Sequence, residues 1–506
     1  LRETAVWYAN LSESHTFKHT KTPGEKRGSM RRKMGRFFVG LGAALLLSGT
    51  VFVGGAACGD KPGVVSLDDA IGMALERSPE LREADQDIAS AKADLDQAKG
   101  GRWAQLDVVG ITGPVQDADL PIVRTNAARV NRGPAGSNNG AYPGKLVDQD
   151  HESIGIFGRL ELALVQPLFT FGKISNSIKA AAKGLEAQRA AKDKKRNELV
   201  RTVKEMYFGL LVAQQGQDAA KDAEDFNKDA KRRIERLLQL NAKNVDQNDL
   251  YRIESLEGEI QAFKAKAESG AKTAYMALKQ TIGYPAGQEF KLDLKELPKD
   301  TRALASKEEH VRLALDHRPE FEQLRHGIEA QKSMVKAARA DLYPSIFAAG
   351  YGSFAGAPGR DRMDISYFPD DFNHAQAGAV LGGHWHFDFG ITRAKVRKEE
   401  AGYKKLQASQ ERAEQNIPIE VTKYYDEVIE NQASYQAYEK AAVAARKWIV
   451  TSFSNFDLGV GSARDMYDAI DRYGKNQGEY LLTLYNYHVA LANLSYAVGD
   501  PTWTNP

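Results

Sequence analysis

From Gln376 to Phe389 the chain reads "QAGAVLGGHWHFDF", and its apolar positions come every second residue. Ala377, Ala379, Leu381, Gly383, Trp385 and Phe387 fall on one face of an extended chain. Gly378, Val380, Gly382, His384, His386 and Asp388 fall on the other. Between 154 and 170 the same period sets Leu160, Leu162 and Leu164 against Arg159, Glu161 and Ala163. Period-two alternation predicts strands over about 154–170 and 376–389, in the pattern of a barrel strand with lipid on one side and water on the other. A soluble sandwich strand with one wet face fits these two segments equally well.

The rest of the chain follows the helical period. Apolar spacing predicts one helix over about 66–100 and another over 306–340, with Pro79 and Pro319 near their starts. Each is followed by a candidate strand, about 103–113 and 343–354. Very long helical stretches run over about 173–283 and 391–498. From Lys173 to Leu240 only Gly184, Gly209 and Gly216 interrupt the pattern, and at 1.5 Å per residue that stretch makes a helix on the order of 100 Å long. "AAAKGLEAQRAAKDKKRNELVRTVKEMY" has coiled-coil composition. A small soluble sandwich has no use for helices of that length, so they favour the barrel reading.

The order helix, strand, strand, long helices occurs twice, and the residues agree with a duplication. "ALERSPEL" (74–81) matches "ALDHRPEF" (314–321) at a shift of 240 positions. "LVQPLFTFGK" and "GHWHFDFGIT" both run into Phe-Gly, which aligns Phe171-Gly172 with Phe389-Gly390 at a shift of 218. "TIGYP" (281–285) pairs with "AVGDP" (497–501) at 216. The drop from 240 to 218 falls in a Gly-, Pro- and Asn-rich stretch before Ile154, as expected of an exposed loop.

Composition narrows the class. With 506 residues, 42% hydrophobic and 27% charged, and a mean hydropathy of −0.48, the chain holds no bundle of membrane-spanning helices. A net charge of +2 gives no argument for a nucleic-acid partner. Arg31, Arg32, Lys33 and Arg36 precede the apolar run "FFVGLGAALLLSGTVFVGGAAC", which reads as a signal peptide over 30–57 and makes 1–29 an upstream extension. A membrane anchor helix is the alternative. Cys58, the single cysteine, closes the run. "GAAC" suits lipidation of Cys58, although Gly55 stands where a larger apolar residue is usual, and Gly55-Ala56-Ala57 suits ordinary cleavage as well. The expected organisation is then 58–302 as a first structural repeat, 303–501 as a second and 502–506 as a tail.

"LDDAIGMALERSPELREA", "LVQPLFTFGK", "FGITRAKV" and "FDLGVGSARDMYDAIDRYGKNQGEYLLTLYNYHVALANLSYAVG" together resemble the TolC-like outer-membrane efflux proteins over nearly all of Ser66 to Pro501. The resemblance implies a membrane α+β fold. It implies a homotrimer with a shared 12-stranded β-barrel, four strands per subunit, continued by a long α-helical coiled-coil barrel across the periplasm. It implies the outer membrane of a Gram-negative bacterium, contact with its lipid, and a periplasmic adaptor and an inner-membrane pump as partners. No catalysis and no cofactor are implied. The loops at about 114–153 and 355–375 would face outside, and Phe171, Gly172, Phe389 and Gly390 would mark the passage from strand to helix.

Relatives carry a gate of aspartates near the turns of the inner helix pairs, in a stretch with an aromatic residue, then a glycine, then two aspartates. Phe456, Gly459, Asp465 and Asp468 match it. A shift of 216 adds Asp249. Gly461 replaces a basic residue that latches the gate in some relatives, and Lys243 falls opposite Gly459. The same aspartates are also expected as helix N-terminal caps. Two readings of other classes compete. His384, His386 and Asp388 could hold a metal ion if they share a strand face, and a periplasmic coiled-coil adaptor without a pore would explain the helices but not the paired alternating strands.

Overall fold

The structure, a computed structural model, describes residues 63–116, 154–242, 245–299, 304–358, 360 and 370–500. The signal segment, Cys58, Lys243 and the tail lie outside the described residues. In chain order the elements are β1 (Gly63–Val65), α1 (Leu67–Arg77), α2 (Pro79–Gly100), β2 (Gln105–Gln116), β3 (Ile154–Phe169), α3 (Lys173–Gln239), α4 (Gln247–Thr281) and β4 (Phe290–Leu292). Then follow α5 (Lys307–His317), α6 (Pro319–Ala340), β5 (Ser345–Gly356), β6 (His374–His384), α7 (Ile391–Asp457) and α8 (Ala463–Val498).

Three boundaries differ from the sequence reading, each for a local reason. The helices expected over 66–100 and 306–340 are each two. Pro79 and Pro319 begin a new helix because a proline disfavours helical backbone in the residue before it, and Ser78 and Arg318 take ψ of 127°. The long stretches 173–283 and 391–498 are hairpins, turning at 240–246 and 458–462. Strand β6 stops at His384, not 389, so His386 and Asp388 share no strand face with it. No group of three metal-ligating side chains occurs among the described residues.

Strands β2, β3, β5 and β6 form one antiparallel sheet in that order, leaving β2 and β6 at its edges. A second sheet is the short parallel pair β1–β4. It closes one core with α1 and the middle of α3 and α7, where Val203, Tyr207, Leu211, Leu278, Val421 and Leu494 are buried. A second core joins the far ends of the four long helices through Ile234, Ile253, Leu256, Ile449, Phe456, Met466 and Ile470.

Both hairpins close on α1 or α5 in the same way. Gly283 and Gly499 follow α4 and α8 with φ of +63° and +88°. A Cβ on Gly283 would come 2.9 Å from Arg77 Cβ, and one on Gly499 would come 2.9 Å from the backbone of His317. The close approach needs glycine as much as the torsion does.

Charge also ties α3 to α4. Glu224 is buried, and its carboxylate accepts from Lys264 Nζ (2.8 Å) and Gln261 Nε2 (3.1 Å) of α4, with Lys228 Nζ 2.6 Å away on its own helix. These donors hold its pKa at about 2, below the ordinary 4.5. A lowered pKa means that the unfolded chain takes up the proton first. The contribution is therefore complete above about pH 4.5 and is lost as pH falls towards 2. Acid titration of helicity is expected to show a steeper loss below pH 4.5 for wild type than for Glu224→Gln. Identical profiles would remove Glu224 from the acid response.

Candidate functional site

The sheet register turns the alternation into two surfaces. Leu106 pairs with Leu164, Val108 with Leu162, Leu162 with Gly352, Leu160 with Phe354, and Ala348 with Leu381. Paired residues share a face, so Leu106, Val108, Ile154, Ile156, Leu160, Leu162, Leu164, Phe354 and Leu381 make one apolar surface, and all of them are exposed. The opposite face carries Asp107, Arg159, Glu161, Ser353, His374, Gln376 and His384, mixed with Val109 and Ile111. There Arg159 pairs with Glu161, and His374 Nε2 lies 2.7 Å from Ser353 Oγ. Tyr351 and Phe347 lie over Gly378 and Gly382, whose missing Cβ atoms would come 2.5 and 2.7 Å from those rings. No described helix is long and apolar enough to cross a membrane. The sheet thus presents the apolar surface that the helices lack.

All four strands meet their helices at one end, and aromatic residues gather there. Phe171 stacks on Tyr343 at 5.1 Å and meets Phe169 edge-on. Trp385 packs on Phe387 and donates to Leu342 O at 3.2 Å. At both junctions phenylalanine and glycine are left-handed, with Phe171 at φ +48°, Gly172 at +90°, Phe389 at +53° and Gly390 at +151°. Lys173 N donates to Thr170 O at 2.9 Å, which closes a turn with positive φ at both central residues. A Cβ on Gly390 would touch nothing within 4 Å, so its torsion is the requirement there. On Gly172 it would lie 3.1 Å from Asn176 Nδ2.

Three residues before the start of each helix an oxygen receives its first turn. Thr170 Oγ1 accepts from Ile174 N at 3.5 Å, and Asp388 accepts from Thr392 N (2.7 Å), Thr392 Oγ1 and Gly390 N. Thr392 and the backbone donors hold the Asp388 pKa at about 2. Asp388 is therefore a capping carboxylate. It is the polar end of a turn rather than part of a histidine site.

At the opposite end of the helices, α7 finishes in a Schellman cap. Gly459, at φ +77°, donates to Phe456 O, and Val460 N and Gly461 N both reach Asn455 O. Phe456 is buried in the distal core. A Cβ on Gly461 would lie 2.8 Å from Phe456 N and 2.9 Å from Asn455 C, so no basic side chain fits at 461 while the turn keeps this shape. In α3 the left-handed cap is Asn241 (φ +54°), with Asn241 N donating to Leu238 O and Ala242 N to Leu237 O. The counterpart of Gly459 is therefore Asn241, not Lys243. The 218 register holds to the end of the helix, and the two extra residues lie in the turn beyond it.

Asp249 and Asp465 are both third residues of capping boxes. Asp249 N donates to Asp246 Oδ1 and Asp246 N to Asp249 Oδ2 at 3.0 and 3.1 Å. Asp465 N donates to Ser462 Oγ at 3.1 Å, and Ser462 Oγ donates to Asp465 Oδ2 at 2.8 Å. Asp468 is one turn further on, 3.7 Å from Arg464 Nε. The first turns of α4 and α8 pack on the same distal core. Asp246 is a further acid that the sequence reading passed over. Its pKa is lowered, first by the Asp249 backbone donor and then by Asn248. The D-x-x-D spacing before an apolar run is the signal that could have found it.

The profile of the family described as "Outer membrane efflux protein" matches residues 158–240 and 311–500, more than half of the chain. The chain belongs to the outer membrane efflux protein family. As a member it is an outer-membrane protein of efflux. Among curated relatives it is similar to the alkaline protease secretion protein AprF of Pseudomonas aeruginosa, 24% identical over 352 residues that cover 67% of this chain and 69% of AprF. Among solved structures it is similar to the outer-membrane channel OprN, with TM-score 0.68, 18% identity, and 86% of this chain and 89% of that one covered. The open-state MtrE channel of Neisseria gonorrhoeae gives TM-score 0.67 at 18% identity, with the same 86% and 89% covered. At such identities the structures establish the TolC-like fold of this family member.

Proposed function

We propose that this outer membrane efflux protein is the exit conduit of a tripartite efflux or secretion system. Three copies would close one 12-stranded barrel, each giving β2, β3, β5 and β6. The observation that carries the reading is the exposed apolar face of a four-stranded sheet with β2 and β6 unpaired at its edges. In lipid every backbone N–H and C=O must be bonded, and four tilted strands cannot close on themselves. Joining β6 of one copy to β2 of the next satisfies both edges, with the face of Arg159, Glu161 and His384 lining water. A coiled-coil adaptor without a pore leaves the apolar face unexplained.

The finer assignments follow from this reading. The two runs of elements, 58–302 and 303–501, are copies of one ancestral unit, which accounts for the matched junctions and for the shared close approach at Gly283 and Gly499. Asp249, Asp465 and Asp468, tripled by symmetry, form an acidic ring at the periplasmic mouth while two of them cap helices. Such a ring attracts cations and repels itself. Transport through it is passive, driven by an inner-membrane pump that a periplasmic adaptor couples to the channel. Fractionation with gel migration tests the assembly. Outer-membrane protein should run as a trimer unheated and as a monomer after boiling. A water-soluble monomer in the periplasmic fraction would overturn the reading.

A further inference from the structure

Where the helices leave the sheet, the two halves carry different charge. In α3 Lys173 and Lys183 are neutralised, with Nζ 2.8 Å from Asp341 and 2.5 Å from Glu329, while Lys179 between them has no carboxylate partner among the described residues. The opening of α7 carries Arg393, Lys395, Arg397 and Lys398, all exposed and none paired with a carboxylate among the described residues. Their counterparts 218 positions earlier are Ser175, Ser177, Lys179 and Ala180. The basic collar is thus a property of the second half alone.

Beside it α6 sets Lys332, Lys336 and Arg339 on one face, at i, i+4 and i+7. Between α6 and α7 lies a cavity of about 410 Å³ lined by Lys332, Lys336, Arg339, Tyr403 and Lys404 over a floor of Val335. Its one acid, Glu400, is already held by Arg339 at 2.6 Å. Lys332, Lys336 and Lys404 have no carboxylate partner among the described residues. Three uncompensated ammonium groups around one cleft repel each other and favour an anion between them.

The height of the cleft selects the anion. Helix α6 ends at Ala340, just before Tyr343 of the aromatic belt, and aromatic belts mark the membrane–water interface. At 1.5 Å per residue, Lys336 and Lys332 lie about 6 and 12 Å from that end and Lys404 about 20 Å from the start of α7. Lys336 and the collar residues Arg393 to Lys398 thus stand nearest the membrane, and Lys404 at the far side of the cleft. The headgroup layer beyond the hydrocarbon is roughly 6 Å deep, and a lysine stem reaches upward while its ammonium stays polar.

We propose that the cleft between α6 and α7, together with the collar on α7, docks the phosphate of an anionic lipid headgroup in the leaflet bordering the helices. The proposal rests on the sheet being the membrane-spanning part. Basic clusters next to a membrane segment attract such lipids in this way, more weakly as salt rises. The seating is asymmetric, once per subunit.

The test equilibrates the detergent-purified full chain with equal phosphatidylglycerol and phosphatidylcholine and measures the lipid retained. Wild type should enrich phosphatidylglycerol about tenfold at low salt, and Lys332→Gln/Lys336→Gln/Lys404→Gln should lose most of that. A charge-matched control at exposed positions elsewhere, Lys221→Gln/Lys266→Gln/Lys440→Gln, should keep it. Equal retention of both lipids by wild type, or full enrichment in the cleft variant, overturns the proposal. Displacement of the lipid by an equal concentration of glycerol phosphate also overturns it, because the occupant is then a soluble anion. The same preparations are checked for trimer on a gel. A wild-type trimer without enrichment sinks only the lipid site, whereas absence of a trimer sinks the channel reading itself.

Discussion

Gly499→Ala is expected to destabilise the chain by about 3 kcal/mol, more than any other single methyl addition considered. Two costs add there. An L-residue in the left-handed region costs about 1–2 kcal/mol, and Gly499 sits at φ +88°. The new Cβ would also come 2.9 Å from both C and O of His317 and 3.0 Å from Arg318 N. These are backbone atoms and cannot swing aside as a side chain can, so overpacking adds about 1–3 kcal/mol. Gly390→Ala separates the two terms, since Gly390 is at φ +151° but its Cβ would meet nothing within 4 Å. It should cost only the torsional part. Chemical denaturation of both variants decides. Equal losses would mean that the contact between the α8 terminus and α5 does not govern Gly499.

Replacing Asp465 and Asp468 together by Asn is expected to raise the half-blocking concentration of a multivalent cation about tenfold and to weaken cation selectivity. Asparagine keeps the shape and an acceptor oxygen, so the α8 capping box survives while its charge goes. Ser462→Ala is the complementary change. Ser462 Oγ accepts from Asp465 N at 3.1 Å. Losing that cap costs about 1 kcal/mol but leaves both carboxylates charged, so block and selectivity should not change. If instead Ser462→Ala alters selectivity as much as the double variant does, the acids act through helix capping and not as a ring. Arg464, 3.7 Å from Asp468, is exposed and moderates its charge only weakly.

The periodic parts of this fold were legible because period and burial have the same cause. Leu160, Leu162 and Leu164 alternate with Arg159 and Glu161 in the sequence, and the sheet register places them on opposite faces. The unbroken helical run from Lys173 to Leu240 was legible too, although the reading carried the helix on to 283 and missed the hairpin beyond it. The failures lie where a single residue's backbone decides. Phe171 and Phe389 both take positive φ, which no propensity for phenylalanine suggests. Asn241 supplies the left-handed cap that Gly459 supplies in the other half, so a fixed shift of 216 put Lys243 in its place. Alternation continues past His384 to Phe387, yet Asp388 turns back to cap α7 and the strand ends first. The cleft of unpaired lysines could not be read from composition, because its charge comes from two helices brought side by side.

The most direct measurement is the current that the purified wild-type chain carries across a planar lipid bilayer. If three copies close one barrel as proposed, discrete, cation-selective steps are expected, because the apolar faces of the three sheets would meet lipid and their polar faces would enclose water. A trimer that inserts without conducting, or a chain that stays monomeric in solution and gives no steps, would contradict the conduit.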